Sequence, residues 1–202
     1  MGNQVEIICK NNGKTLLVDE GTALIDIYKT AGVELPYQVL CAQVNNRTRD
    51  LSYRVYQPKQ IMFSDASHIM GMRMYVRSLC FVLYKAVTEL FPGTRLRIEH
   101  SVSNGYFCCL NQREEIPHDT VELLKERMRD IIRRDLPFER IQSTAEVAAG
   151  HFREQDMCDK IDLIETLHPL YATYYKLGNL YDVYYEYLLP STCLLYTSPS
   201  PR

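Results

Sequence analysis

The sequence lacks most of the features that would assign it a chemistry at sight. No apolar run among its 202 residues reaches the roughly 20 needed to span a bilayer, so a membrane partner is not expected. The N-terminal MGNQVEIICK has no basic segment followed by an apolar one, and position 6 is glutamate where a myristoylation signal needs Ser or Thr. Neither export nor lipid anchoring is expected, and the reading is cytoplasmic. No G-x-x-x-x-G-K-[ST] occurs, so no loop is expected to cradle phosphates. Neither sign of charge dominates: 23 Lys and Arg face 25 Asp and Glu for a net charge of −2, which gives no electrostatic drive toward nonspecific nucleic-acid binding. The seven cysteines, Cys9, Cys41, Cys80, Cys108, Cys109, Cys158 and Cys193, include no C-x-x-C pair, as in a reduced protein with buried thiols. Cys108 and Cys109 are adjacent in a β-prone run and should face opposite ways, so no zinc site is expected from them.

What is present is organised around Met70–Gly93, MGMRMYVRSLCFVLYKAVTELFPG. Met72, Val76, Leu79, Leu83, Ala86 and Leu90 recur at helical spacing, and Phe91-Pro92-Gly93 ends the run. A second stripe carries Arg73, Arg77, Phe81, Tyr84, Lys85 and Thr88. The apolar stripe predicts a buried back, and the second stripe a front facing a cleft or solvent.

Upstream, 4–10 and 15–20 are β-prone runs joined by Asn11-Asn12-Gly13-Lys14, a hairpin signal. Thr22 is the expected N-cap of a helix with Leu24, Ile27, Tyr28 and Ala31 on its apolar face and Gly32 at its end. Strands follow at Leu40–Val44, Arg49–Leu51 and Gln60–Phe63, with a turn at Asn45-Asn46. Residues 1–64 thus read as a small β-grasp module, and Asp65-Ala66-Ser67 as a junction. The hairpin around Asn12-Gly13-Lys14, the segment Glu20–Ile27, and Ala42–Asn46 leading to Asp50-Leu51 resemble a TGS domain, a module of threonyl-tRNA synthetases, some GTPases and guanosine polyphosphate enzymes. The resemblance implies contact with RNA or with another domain.

Downstream, Thr94–His100 and Gly105–Leu110 read as two strands turning at Ser101–Asn104. Asp119 and Glu122 form a capping box for a helix that buries Val121, Leu124, Met128, Ile131 and Ile132. Its cations Lys125, Arg127, Arg129, Arg133 and Arg134 alternate with Glu122, Glu126, Asp130 and Asp135, the pattern of a solvated face with i,i+3 and i,i+4 pairs. Leu136–Arg140 is extended, Ser143–Glu146 opens a helix to about Glu154, and another spans about Asp159–Leu167. Tyr171–Tyr175 and Tyr181–Leu189 form a tyrosine-rich hairpin about Gly178-Asn179, its tyrosines read as core residues with a polar tip.

The segments Arg77–Gly93, Ser103–Leu110, Leu136–Ile164 and Tyr184–Thr192 resemble the second additional domain of threonyl- and alanyl-tRNA synthetases, which edits mischarged tRNA. Together the two resemblances cover nearly all of residues 4–192. They imply an α+β chain: a β-grasp domain, then an editing-like helix-and-antiparallel-sheet domain over 65–192. The editing family carries H-x-x-x-H and C-x-x-x-H. The corresponding positions here hold Arg77 and Phe81, and Tyr184 and Leu188. Arginine is no general base, and phenylalanine and leucine coordinate nothing, so no catalytic, cofactor or metal residue is expected.

A TGS module before an altered editing-like domain most resembles the N-terminal part of a bacterial nucleoside kinase of the uridine kinase/phosphoribulokinase type. That resemblance implies a downstream kinase domain as partner, with ATP and magnesium as its cofactors. Two alternatives stand beside it: a fragment of a threonyl-tRNA synthetase-like or tRNA-editing protein, and a free-standing RNA-binding module. A ligand cleft carrying Arg73, Arg77, Phe81, Tyr184 and His100 is the candidate site, suited to a phosphate or carboxylate on a planar ligand such as a nucleotide or an RNA end. The other reading pairs Arg77 with Glu186 or Glu99. Residues 193–202, CLLYTSPSPR, break the Pro-Ser-Thr continuation of the family and resemble a translated transposon-type adapter. They are expected to be non-native and unpacked.

Overall fold

The computed structural model describes residues 3–102, 105–110 and 116–195. It is an α+β chain that divides into two compact units, one running to Ser78 and taking in Glu186–Pro190, the other comprising Leu79–Tyr185 and the residues from Ser191 on.

In the first unit β1 (Gln4–Cys9) and β2 (Thr15–Asp19) form the expected hairpin, Gly13 turning at φ +71°. The Asn12 side-chain amide donates to the Ala31 carbonyl at 3.0 Å, so the turn also satisfies a carbonyl at the end of a helix. Strand β3 (Thr22–Ala23) leads into that helix, α1 (Leu24–Ala31), which ends at Gly32 in the left-handed region. Thr22 is not the N-cap: its hydroxyl donates to the Asp19 carbonyl at 2.6 Å, and Ala23 holds the cap position. Then come β4 (Cys41–Val44), β5 (Arg47–Arg49), β6 (Arg54–Val55) and β7 (Lys59–Ser64). Asn45 and Asn46 both take positive φ in the β4–β5 turn, as a tight hairpin turn requires. The sheet order is β2-β1-β7-β4-β5, with β1 and β7 parallel at its centre, and β6 pairs with β3 apart from it. Ile7, Cys9, Leu24, Ile27, Val44, Val55, Ile61 and Phe63 fill the space between sheet and helix.

The long helix α2 spans Ile69–Leu90. Its buried face is not the expected one. Met74, Tyr75, Ser78, Phe81, Val82 and Lys85 are buried; of the expected stripe only Ala86 is buried, and Met72, Val76, Leu79, Leu83 and Leu90 are half-buried. The helix is apolar round more than one side, so spacing alone could not choose between stripes. The junction expected at Asp65-Ala66-Ser67 lies inside the first unit, and the units divide within α2 instead. Asp65 is buried there because its oxygens accept the Tyr37 amide at 2.8 Å, the Ser67 amide at 2.9 Å and the Ser67 hydroxyl.

After the C-terminal part of α2, the second unit continues with the hairpin of β8 (Leu96–Val102) and β9 (Gly105–Leu110). Ser101 and Val102 therefore lie within a strand, and the rest of the expected turn, Ser103 and Asn104, falls outside the described residues. Helix α3 (His118–Arg133) starts behind Pro117, so Asp119 sits in its first turn and caps nothing. Leu124, Ile131 and Ile132 are buried, and Lys125–Glu122 and Arg133–Asp130 pair across i,i+3 on the exposed side. Strand β10 (Phe138–Thr144) includes Ser143 and Thr144, which pair in the ladder and do not form a capping box. Helices α4 (Ala145–Glu154) and α5 (Cys158–Leu167) follow, then β11 (Tyr171–Leu177) and the short β12 (Leu180–Asp182), in a sheet ordered β10-β11-β12. The second arm of the tyrosine hairpin stops at Asp182, whose carboxylate takes the Val183 amide at 2.7 Å and draws the backbone out of the ladder. A 3-10 turn covers Thr192–Leu195, and Leu195 is buried. The expectation of an unpacked tail therefore fails for 193–195, because an apolar side chain there finds a place under the fold. Residues 196–202 lie outside the described residues.

Candidate ligand-binding site

The expected site residues belong to both units. Arg73, exposed, and Arg77, one turn later on α2, are in the first. The Arg77 guanidinium pairs with the Glu186 carboxylate, the second of the two readings of Arg77. Arg77, and behind it Arg73, hold the Glu186 carboxyl below its ordinary range. Glu186 sits on a returning strap held by one side-chain and one backbone bond. Arg49 donates to the Tyr187 hydroxyl at 2.6 Å, and its guanidinium lies over the Tyr53 and Tyr187 rings. The Leu189 amide donates to the Ser78 hydroxyl at 2.9 Å, and Leu188 and Leu189 are both buried. Leu188, at the last C-x-x-x-H position, is thus a core residue.

Around Arg77 lies a polar locality that sequence reasoning missed. Burial pushes the Cys41 thiol up to about 12, with Arg77 pulling the other way and Asp65 adding to the rise, which makes Cys41 an inert thiol. Burial would raise Asp65 as well, but the Ser67 hydroxyl and the Tyr37 and Ser67 amides bring it below its ordinary value. Ser64, opposite Cys41 in the ladder, and Arg77 each leave a buried atom, Oγ and Nε, with no hydrogen-bond partner. Ser64 is buried directly after buried Phe63, so strand alternation gave no signal for it. Nothing in the sequence marked Asp65 as buried.

In the second unit Phe81 has no exposed surface, and its ring stands 5.3 Å from that of Tyr184 and 6.1 Å from that of Phe138. Burial, and then the Asp182 charge, push the Tyr184 hydroxyl well above its ordinary value. Asp182 is raised by its own burial, against which work Lys160 at 3.7 Å and the Val183 amide. His100 stacks on Phe107 at 5.5 Å, and Glu99 pairs with Arg97 at 3.7 Å. The structure therefore brings Phe81 and Tyr184 together as packed rings, and Arg73 and Arg77 together about Glu186. Lys85, assigned to an open front, is buried and answered by Glu89 at 3.0 Å and Asn179 at 2.8 Å, with Arg127 on the same glutamate at 2.7 Å. Among the described residues no three His, Cys, Asp or Glu side chains are grouped to hold a metal ion, and no helix is long and apolar enough to cross a membrane.

No family model matches the chain. Among curated proteins it is similar to the threonine–tRNA ligase of Desulforamulus reducens, 29% identical over 173 residues that make up 85% of this chain and 27% of the ligase. The ligase of Rubrobacter xylanophilus is 28% identical over 181 residues, 90% of this chain and 28% of the ligase. That of Carboxydothermus hydrogenoformans is 24% identical over 174 residues, 86% and 27%. The chain spans less than a third of the length of these relatives. The similarity covers both modules recognised in the sequence, so it supports a region of threonyl-tRNA synthetase type, TGS plus editing-like, and does not support the nucleoside kinase expectation.

Proposed function

We propose that this chain is a synthetase-type N-terminal region that has the editing-like fold without editing chemistry, and that it serves a longer cytoplasmic protein by binding RNA or a nucleotide. The observation that carries the reading is the state of Phe81. It stands where the family places a histidine, it is fully buried, and its neighbours are the rings of Tyr184 and Phe138. A phenyl ring neither ligates a metal nor takes a proton, and Tyr184 directs its hydroxyl to Asp182. The test is deacylation of mischarged Ser-tRNA(Thr) by the 202-residue chain. Serine release should not exceed the no-protein control, and release above it would overturn the proposal.

A second reading has one specific observation in its favour. With Arg77, Phe81, Tyr184 and Leu188 at the four family positions, the region has nothing to contribute to proofreading, and a protein other than a synthetase has use for such a region. In this reading it is the regulatory N-terminal part of a nucleoside kinase whose own downstream domain binds ATP and magnesium. The downstream reading frame separates the two: a P-loop supports the kinase, and a class II synthetase core supports the synthetase.

A further inference from the structure

Arg77 leaves its Nε–H buried without an acceptor, and Ser64 leaves its hydroxyl in the same condition. The two belong to one locality. Ser64 is the register partner of Cys41, opposed residues of an antiparallel pair share a face, and the Cys41 thiol feels the Arg77 charge. Buried donors are costly unless an acceptor meets them. Arg73 lies i−4 to Arg77 on α2, close enough for the two guanidinium groups to converge, and it is exposed. Both act on Glu186. That carboxylate is 59% exposed, in a pair of the kind that contributes little to stability. Nearby, the Leu189 amide is held by the Ser78 hydroxyl and the Tyr187 side chain by Arg49, so the Glu186 side chain can swing off Arg77 without moving these anchors.

We propose that Arg73 and Arg77 form a binding site for the 5′-phosphate monoester of a nucleotide or an RNA end, and that the Glu186 carboxylate occupies it as an internal stand-in until the ligand displaces it. A carboxylate offers two oxygens and one charge. A phosphate monoester offers three oxygens and nearly two charges, enough to meet two guanidinium forks including the unanswered Arg77 Nε. Asp65, the other carboxylate near this locality, has both oxygens taken by Tyr37 and Ser67 and does not compete for the arginines. The site rests on the non-catalytic binding reading above and gives its ligand a chemical class.

Calorimetric titration of the full chain with inorganic phosphate, AMP, and a short oligoribonucleotide bearing either a 5′-phosphate or a 5′-hydroxyl tests this. AMP, the phosphorylated oligonucleotide or both should bind, and the hydroxyl form should not. Which of the two binds tells free nucleotide from RNA end. Glu186→Gln should tighten binding about three- to tenfold by removing the stand-in. Arg73→Ala should weaken it at least about tenfold and leave the melting temperature unchanged, since the side chain is exposed. No binding to either wild type or Glu186→Gln would overturn the site. So would binding indifferent to Arg73→Ala, equal binding of the two oligonucleotides, or binding of inorganic phosphate alone. Serine release in the deacylation assay would sink the non-catalytic reading and leave these titrations to be judged by themselves.

Discussion

Replacing Gly71 by alanine should be among the most damaging small substitutions in the chain. Gly71 is buried in the first turn of α2, and a Cβ added there would lie 2.6 Å from the Asp65 carbonyl carbon and closer still to its oxygen. Real side chains do not approach backbone atoms so closely, so either the helix start or the Asp65 segment must move. Neither is free. Asp65 holds the Tyr37 amide at 2.8 Å and the Ser67 amide at 2.9 Å, and its backbone carbonyl takes the His68 amide at 3.2 Å. Overpacking of about 1–3 kcal/mol, added to the loosening of at least one buried charge-assisted hydrogen bond at about 1.5–3 kcal/mol, gives a loss of roughly 2.5–6 kcal/mol. The matched control is Gly150 in α4, where an added Cβ meets nothing within 4 Å. Alanine there should stabilise by about 0.5–1 kcal/mol, because a helical glycine is entropically unfavourable. The chain has 15 tyrosines and no tryptophan, so urea unfolding followed by tyrosine fluorescence and far-UV circular dichroism reports both variants. A Gly71→Ala protein within 0.5 kcal/mol of wild type would refute the close approach.

Ending the chain after Thr192 removes Leu195, which is 4% exposed. The burial of one leucine is worth about 1.5–3 kcal/mol, so the melting temperature should fall by several degrees, and an unchanged value would show the 3-10 turn to be dispensable. Burial would raise the Glu89 carboxyl, but bonds from Lys85 and Arg127 bring it below its ordinary 4.5. The stability it contributes is therefore present above pH 4.5 and is lost as pH falls through the lower folded value. Glu89→Gln should flatten this acid limb, and an acid limb identical to that of wild type would show the network to be inert. Protein purified without a histidine tag should carry well under one equivalent of zinc by elemental analysis, and a stoichiometric, tightly bound metal would contradict the packed state of Phe81 and Tyr184.

Local chemistry in the sequence was read well where one residue type decides the backbone. The Asn12-Gly13 and Asn45-Asn46 turns, the αL end of α1 at Gly32 and the stop of α2 before Pro92 all stand as expected. Three caps did not form, at Thr22, Asp119 and Ser143, and the reasons are tertiary or local competition. Thr22 is drawn into a bridge with Val55, Pro117 takes the cap position of α3, and Ser143 pairs with Ala172. The face of α2 differs from the expected one because the helix is apolar on more than one side, and Phe81 and Lys85 of the second stripe are buried. A buried ammonium is tolerable once paired, and its partner Asn179 lies in a distant turn that no local pattern reveals. The sequence offers Glu186 and Glu99 alike as partners of Arg77, and no local pattern chooses between them, because Glu186 reaches Arg77 from 109 positions away.

The four positions at which the editing-domain resemblance would place histidine or cysteine are filled in physically different ways. Phe81 asks for nothing polar and is given two ring contacts. Leu188 is buried apolar surface. Tyr184 keeps a hydroxyl, but Asp182 accepts it and Lys160 answers Asp182. At these three positions every group is matched by its neighbours, so none has binding capacity left over. Arg77 is the exception. Its ion-pair partner is a half-exposed glutamate, and its buried Nε has no acceptor. If the position needed only to be filled, an apolar side chain would do so without that unmet donor, since replacing a buried ion pair with hydrophobic residues is often neutral or stabilising. A permanently charged fork, held beside a second arginine and closed by a carboxylate that a side-chain rotation removes, is the arrangement expected where an anion is to be exchanged. The proposed anion site is therefore centred on Arg77, and Glu186→Gln is the substitution that tests it most directly.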